Sequence, residues 1–252
     1  MNFTKMEGLG NDFVVFDGPR SLNRDTIAAL CDRRRGVGAD GVLVVSPLGV
    51  DQVKMEYFNA DGGAAELCGN GLRCVARHAV NLGLVDGPDF TVETAVGHRR
   101  VSTLDSDRVR VELGPIEAAP ADRLVGGHVV RTVDVGNPHA VMFVEDPGSI
   151  PVEEIGPGLE HHAAFPDGTN VEFVTVRSFE LIDMRVWERG VGETLACGTG
   201  AAAVVAAAAA SGRSASTATV RLLGGPLDVE IIEGVAWITG PATSVYTGTW
   251  PS

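Results

Sequence analysis

The stretch Met55-Glu56-Tyr57-Phe58-Asn59, continuing to Cys68-Gly69-Asn70-Gly71, is written a second time as Met184-Arg185-Val186-Trp187-Glu188, continuing to Cys197-Gly198-Thr199-Gly200. One shift of 129 residues carries Met55 onto Met184, Phe58 onto Trp187, Gly63 onto Gly192 and Cys68 onto Cys197. A neighbouring shift of 126 carries Gly10-Asn11-Asp12-Phe13-Val14-Val15 onto Gly136-Asn137-Pro138-His139-Ala140-Val141. Both shifts are close to half of the 252 residues, far longer than the repeat of a solenoid. The chain therefore reads as a duplicated domain with one cysteine–glycine turn per half. Pro115, Pro120 and the glycines between Gly114 and Gly127 mark the boundary region.

Working outward, each half alternates short β-branched runs with turns. The first half offers Asp12 to Asp17, Gly41 to Ser46, Val53 to Phe58, Thr91 to Thr94 and Arg108 to Leu113. The second offers Val129 to Val135, Ala140 to Val144, Asn170 to Ser178, Ile182 to Glu188, Thr219 to Leu223 and Leu227 to Ile232. Such density predicts an α+β fold with mainly antiparallel sheets. One helix per half is expected after each cysteine, over Gly71 to Gly83 and Gly200 to Ser211, and a shorter one over Asn23 to Arg34 capped by Asn23 or Asp25. The run Ala201 to Ala210 has no polar face, which predicts a helix buried on all sides.

Composition narrows the function. With Lys+Arg 20 against Asp+Glu 33, the net charge of −13 argues against nucleic acid as a partner. No uncharged apolar run approaches the ~18 residues of a membrane span, and the start lacks a signal-peptide core, so a cytoplasmic protein is expected. Lysine occurs only at positions 5 and 54, neither in a recognisable Schiff-base site, which speaks against pyridoxal phosphate. Cys31, Cys68, Cys74 and Cys197 are too scattered for a disulfide framework or a zinc site. No metal and no cofactor are expected.

A thiol just ahead of a glycine-rich helix start meets unpaired N–H groups and the positive end of the helix dipole, which favour a thiolate and bind anions such as a substrate carboxylate. Two such starts facing each other would suit inversion at a carbon bearing an acidic hydrogen, one thiolate removing a proton while the opposing thiol delivers another. Backbone donors would steady the developing negative charge. Cys31 and Cys74 read as packing residues. His139 could hold or deprotonate a thiol, and Glu188 with Arg189, ahead of Cys197, suits substrate binding. Asn11, Asn59, Asn137 and Asn170 are turn residues that also suit a zwitterionic ligand.

The segments Lys5-Met6-Glu7-Gly8-Leu9-Gly10-Asn11-Asp12-Phe13, Phe58-Asn59-Ala60-Asp61-Gly62, Glu66 to Cys74, Gly136-Asn137-Pro138-His139 and Glu188 to Gly200 together resemble the diaminopimelate epimerase family, with a match running from Lys5 to about Gly248. The resemblance implies two pseudo-symmetric domains, each a mostly antiparallel, barrel-like sheet wrapped around a central helix. The first would span residues 1–116 with the C-terminal tail 243–252 returning to it, and the second residues 117–242. It implies a cofactor-independent homodimer that interconverts LL- and meso-diaminopimelate for lysine and peptidoglycan precursor synthesis. Cys68 and Cys197 would be base and acid. Gly69, Asn70, Gly198 and Thr199 would bind the reacting carboxylate, Asn11, Asn59, Asn137, Asn170, Glu188 and Arg189 would hold the amino acid, and His139 and Glu188 would assist the thiols. Glu7, Gly41 and Gly63 depart from the family pattern, which commonly has histidine at the first, glutamine in some members at the second, and serine at the third. The alternatives are a two-thiol racemase or epimerase of another amino acid and a non-catalytic amino-acid-binding protein on the same fold.

Overall fold

The computed structural model describes residues 1–105 and 107–251. In chain order the first elements are β1 (Asn2–Gly8), β2 (Asn11–Asp17), α1 (Arg24–Cys31), β3 (Gly41–Gly49), β4 (Gln52–Asn59), β5 (Ala64–Ala65) and α2 (Gly69–Asn81). Then come β6 (Asp89–Thr94), β7 (Gly97–Thr103), β8 (Arg108–Pro115), β9 (Glu117–Ala118), β10 (Arg123–Val125), β11 (His128–Asp134) and β12 (Pro138–Phe143). A 3₁₀ turn at Pro147–Ser149 leads to α3 (Val152–Glu160), β13 (Asn170–Ser178), β14 (Leu181–Glu188), β15 (Gly192–Thr194) and α4 (Gly198–Ala210). The chain closes with β16 (Thr217–Leu222), β17 (Gly225–Ile232), β18 (Val235–Pro241) and β19 (Thr243–Thr249). Two compact units result, one of Met1–Val111 with Gly240–Ser252 and one of Glu112–Thr239.

In the first unit, β19, β1, β2, β3, β4, β6, β7 and β8 lie side by side, with β5 also hydrogen-bonded to β4. The pairs β2–β3 and β4–β6 are parallel, the others antiparallel. A parallel pair needs a crossover connection, and each gap holds one: α1 between β2 and β3, α2 between β4 and β6. Alternation along the strands then separates two faces. Val14, Phe16, Val42 and Val44 pack with Ile27, Leu30 and Cys31 of α1. Leu43 on the opposite face reaches the first turn of α2, which touches β1, β2, β3, β4, β7 and β19. Because α2 is ringed by strands, its charged residues are tied internally. Arg73 Nε donates to the Pro241 carbonyl at 3.0 Å, Arg77 Nη2 to the carbonyls of Asp105 and Arg108, and His78 Nε2 lies 2.7 Å from Asp17 Oδ1.

The second unit repeats the plan. The strands β9, β11, β12, β13, β14, β16, β17 and β18 are neighbours in that order, with β10 on β11 and β15 on β14. Here β12–β13 and β14–β16 are the parallel pairs, bridged by α3 and α4. Val152 and Leu159 of α3 pack with Val130, Ala140, Met142, Val171 and Phe173. The alanine-rich α4 touches β9, β11, β12, β13, β14, β16 and β17 and is buried from Gly200 to Ala208.

Two expectations need correction. The central helices begin at Gly69 and Gly198, two residues before the expected starts, so each cysteine is the cap rather than a residue ahead of it. The helix α3 lies outside the expected set: Gly156 and Pro157 inside it and the missing side-chain cap at Pro151 oppose it, with Glu153 and Glu154 in the first turn and its packing on the sheet in its favour. Of the two glycine departures, Gly63 is the less confined, a Cβ there meeting only the Asp61 carboxylate, whereas Gly41 is hemmed in by backbone and ring. A Cβ there would fall 2.6 Å from the Phe58 carbonyl oxygen and 2.8 Å from Tyr57 Cε2. Gly41→Ala should therefore destabilise the protein by about 1–3 kcal/mol in denaturant unfolding; a variant as stable as the parent would contradict this packing.

Candidate active site

In the first unit the site is built around the turn from β5 into α2. Cys68 has extended backbone angles (φ −134, ψ 118), and its Sγ accepts the Gly71 N–H at 3.4 Å as the N-cap of α2. Asn11 Oδ1 accepts from the Cys68 thiol at 3.4 Å and from Asn70 Nδ2 at 3.3 Å. The Asn11 amide cannot turn freely, because its Nδ2 donates to Asp40 Oδ2 at 2.8 Å. Asp40 is held by Arg33 Nη2 at 2.7 Å, which also donates to Asp12 Oδ1 at 2.6 Å, and Lys5 Nζ meets Asp12 Oδ2 at 2.5 Å. Burial raises the Asp12 carboxyl, but the hydrogen bonds from Arg33 and Lys5 reverse this and leave it at about 2. Gly69 and Asn70 sit buried in the first turn of α2, while Asn59 is exposed at the end of β4. Cys74 lies deeper in the same helix, where burial pushes its thiol up to about 12; burial likewise raises Cys31 to about 11.

In the second unit Cys197 repeats the cap, with φ −125, ψ 112 and Sγ accepting the Gly200 N–H at 3.4 Å. Its surroundings differ. Thr199 Oγ1 lies 3.5 Å from Sγ, and Glu188, at the end of β14, hydrogen-bonds the thiol and accepts from Thr194 Oγ1 at 2.5 Å. Burial raises the Cys197 pKa well above 9.0, and the carboxylates of Glu188 and Glu172 raise it further, against smaller opposing effects of Thr199 and the Gly200 N–H. The expectation that a helix start favours the thiolate is thus reversed at Cys197: two nearby carboxylates and a dry environment outweigh one backbone donor. Burial also raises Glu188, with Thr194, Cys197 and His139 opposing it.

His139, at the start of β12, is completely buried, with Nδ1 2.6 Å from Glu172 Oε1 and Nε2 3.1 Å from Asn137 Oδ1. Asn170 is occupied at both ends of its amide, donating to the Pro138 carbonyl at 3.0 Å and accepting the Arg189 N–H at 3.0 Å. It acts here as a tie between β12 and the β14–β15 turn. Arg189 itself is exposed, with Nη1 on the Asp167 carbonyl at 3.0 Å. Three residues absent from the sequence reading as site candidates matter to this geometry. Glu160 of α3 accepts from Trp187 Nε1 at 2.6 Å and from the Gly190 N–H at 2.8 Å, clamping the turn that bears Glu188 and Arg189. Thr194 fixes the Glu188 carboxylate, and Glu172 faces His139. The 129-residue shift carries a signal for each: it pairs Glu172 with Leu43, Glu160 with Cys31 and Thr194 with Ala65, so polar groups stand where the first half has apolar ones.

The family model described as diaminopimelate epimerase matches residues 3–118 and 131–246. Relatives named diaminopimelate epimerase include one from Moorella thermoacetica, 41% identical over 279 residues and covering 100% of this chain and 99% of its own length. Another, from Desulforudis audaxviator, is 45% identical over 275 residues, with 99% of each chain covered. Among solved structures, a predicted epimerase from Pseudomonas aeruginosa aligns with a TM-score of 0.74 at 17% identity, covering 100% of this chain and 99% of that one. A phenazine biosynthesis PhzC/PhzF protein from Clostridium difficile aligns with a TM-score of 0.76 at 12% identity, covering 100% of both. These structural likenesses establish the fold alone.

The contrast between the thiols is open to measurement. At pH 7.5, iodoacetamide should label the half-buried Cys68 before Cys197, Cys74 or Cys31, and Cys197 labelling should rise only above about pH 9, where a raised thiol begins to ionise. Peptide mass spectrometry showing Cys197 alkylated as fast as Cys68 at neutral pH would contradict the electrostatics.

Proposed function

The chain belongs to the diaminopimelate epimerase family of isomerases, and on that premise we propose that it inverts one α-carbon of LL-diaminopimelate to give the meso form, without a cofactor, by a two-thiol mechanism. The observation that carries this reading is the repeated cap: each unit fixes one thiol over the first turn of a buried helix, and each thiol has its own polar partner, Asn11 for Cys68 and Glu188 for Cys197.

The steps follow from those partners. Burial keeps Cys197 protonated at rest, and Glu188, itself raised by burial, is the group positioned to take its proton. The resulting thiolate removes the α-hydrogen, and the C–H electron pair passes into the adjoining carboxylate as a carbanion. The N–H groups at Gly69, Asn70, Gly198 and Thr199 would hold that carboxylate and its developing charge. The Cys68 thiol delivers a proton to the opposite face, and the reverse reaction exchanges the roles. Asn11, Asn59, Asn137, Asn170, Glu188 and Arg189 form the amino-acid site in this reading, with Asn170 acting through Arg189 and the Pro138–His139 strand start. The enzyme would act in the cytoplasm as a homodimer supplying lysine and peptidoglycan synthesis. A second reading, a two-thiol epimerase of another amino acid, is favoured by Gly41, where the Phe58 carbonyl leaves no room for the side chain that some family members carry.

Chiral chromatography of LL-diaminopimelate incubated with the reduced protein should show formation of the meso form. Loss of that activity with inversion of a different amino acid would transfer the assignment to the second reading. Cys68→Ala and Cys197→Ala should each lower inversion by roughly 10²-fold or more, while costing about 0.5–2 kcal/mol for the lost cap. A turnover within tenfold of the parent in either variant would contradict the mechanism.

A further inference from the structure

Positions in the two units can be compared one by one, and one pair breaks the symmetry. Around the first turn of α2, a Cβ on Gly71 would meet Leu43 Cδ2, Met55 Cε and Cys68 Cβ at 3.4, 3.4 and 3.5 Å. Around the first turn of α4, a Cβ on Gly200 would meet Glu172 Oε1, Met184 Cε and Cys197 Cβ at 2.9, 3.0 and 3.3 Å. The same shift of 129 residues relates every member of these sets, so Glu172 occupies the place of Leu43. The shift of 126 places His139 on Phe13. Phe13 and Leu43 are fully buried hydrocarbon in the first unit, while His139 and Glu172 are a fully buried polar pair in the second.

The fold therefore accepts apolar residues at both places, and a buried ionisable pair is weak evidence for stability. Glu172 Oε2 is buried without a hydrogen-bond partner, so the carboxylate is only half satisfied. A cost borne in one unit and avoided in the other points to a role outside folding.

We infer that Glu172 is a positioning residue for the inversion, fixing the proton of His139 on Nδ1 and so leaving Nε2 as the ring's hydrogen-bond acceptor in the site. A carboxylate opposite Nδ1 can only accept, which holds that nitrogen protonated. Asn137 opposite Nε2 is a carboxamide, whose NH₂ can donate to a bare ring nitrogen as its oxygen can accept from an N–H, so it does not oppose that tautomer. The other ionisable groups acting on this pair are Glu188 and Cys197, both coupled to it electrostatically. A carboxylate that orients a catalytic imidazole works in the same way elsewhere. The inference rests on the proposed thiol chemistry for its kinetic consequence, but its structural content does not.

Two measurements separate these. Nitrogen-15 NMR of histidine-labelled protein without substrate should show the neutral His139 ring protonated on Nδ1, and Glu172→Leu, which copies the residue of the first unit, should release that tautomer while remaining folded. In Glu172→Gln, kcat for inversion should fall roughly 10- to 100-fold with KM within about twofold, and the pH profile of kcat should shift. A neutral ring protonated on Nε2 in the parent would overturn the inference whatever the substrate proves to be. So would a Glu172→Gln enzyme with unchanged kcat and pH profile. Absence of diaminopimelate inversion in a parent with the Nδ1–H tautomer would count against the proposed reaction and leave the positioning intact.

Discussion

Sulfur accepting a backbone N–H at the head of a buried helix is the contact on which the rest depends. The first turn of any helix leaves N–H groups that need acceptors, and both central helices are enclosed by strands where water is scarce. Cys68 and Cys197 meet that need at Gly71 and Gly200 with almost the same backbone angles. Space adds a constraint at Gly200, where a Cβ would fall 2.9 Å from Glu172 Oε1 and 3.0 Å from Met184 Cε, whereas a Cβ at Gly71 would make only ordinary contacts. In the proposed mechanism capping and chemistry are served by one atom, and the thiol is held in place by the fold's own hydrogen-bonding demands.

Equal caps carry unequal surroundings. Cys68 faces an uncharged carbonyl oxygen from Asn11, steadied by Asp40, Arg33, Asp12 and Lys5. Cys197 lies in a buried group of Glu188, Glu172 and Thr199, where charge and dryness hold the proton on sulfur. The two thiols share one cap geometry, but the second unit sets Glu172 and His139 where the first sets Leu43 and Phe13. Glu160 extends the same economy, one carboxylate clamping both Trp187 and Gly190 and so fixing the turn that bears Glu188.

Much of this was legible because duplication writes geometry into a sequence twice. The cysteine–glycine turns, the strands flanking them and the all-apolar helix at Ala201 to Ala210 each carry a local signal. The thiol as cap was missed by two residues, since cysteine is not among the usual capping types and glycine is a poor helix former. The helix α3 was hidden by Gly156 and Pro157, and the parallel strand pairs followed from crossovers that a strand-by-strand reading does not weigh. The reversed shift of Cys197 could not be read at all: Glu172 lies 25 residues before it in the chain, and only the folded sheet brings that carboxylate to the head of α4. The roles of Asn170 and Glu160 as internal ties likewise depend on both ends of a polar side chain, which spacing does not reveal.

The central claim is that separate groups remove and deliver the proton, and solvent isotope partitioning at early conversion tests it most directly. In deuterium oxide, starting from LL-diaminopimelate, the first meso product should carry deuterium at the inverted carbon while the recovered LL substrate remains protiated there. Deuterium entering substrate and product alike from the outset, or product that retains the original hydrogen, would mean that a single base serves both faces, and the two-thiol account would be wrong.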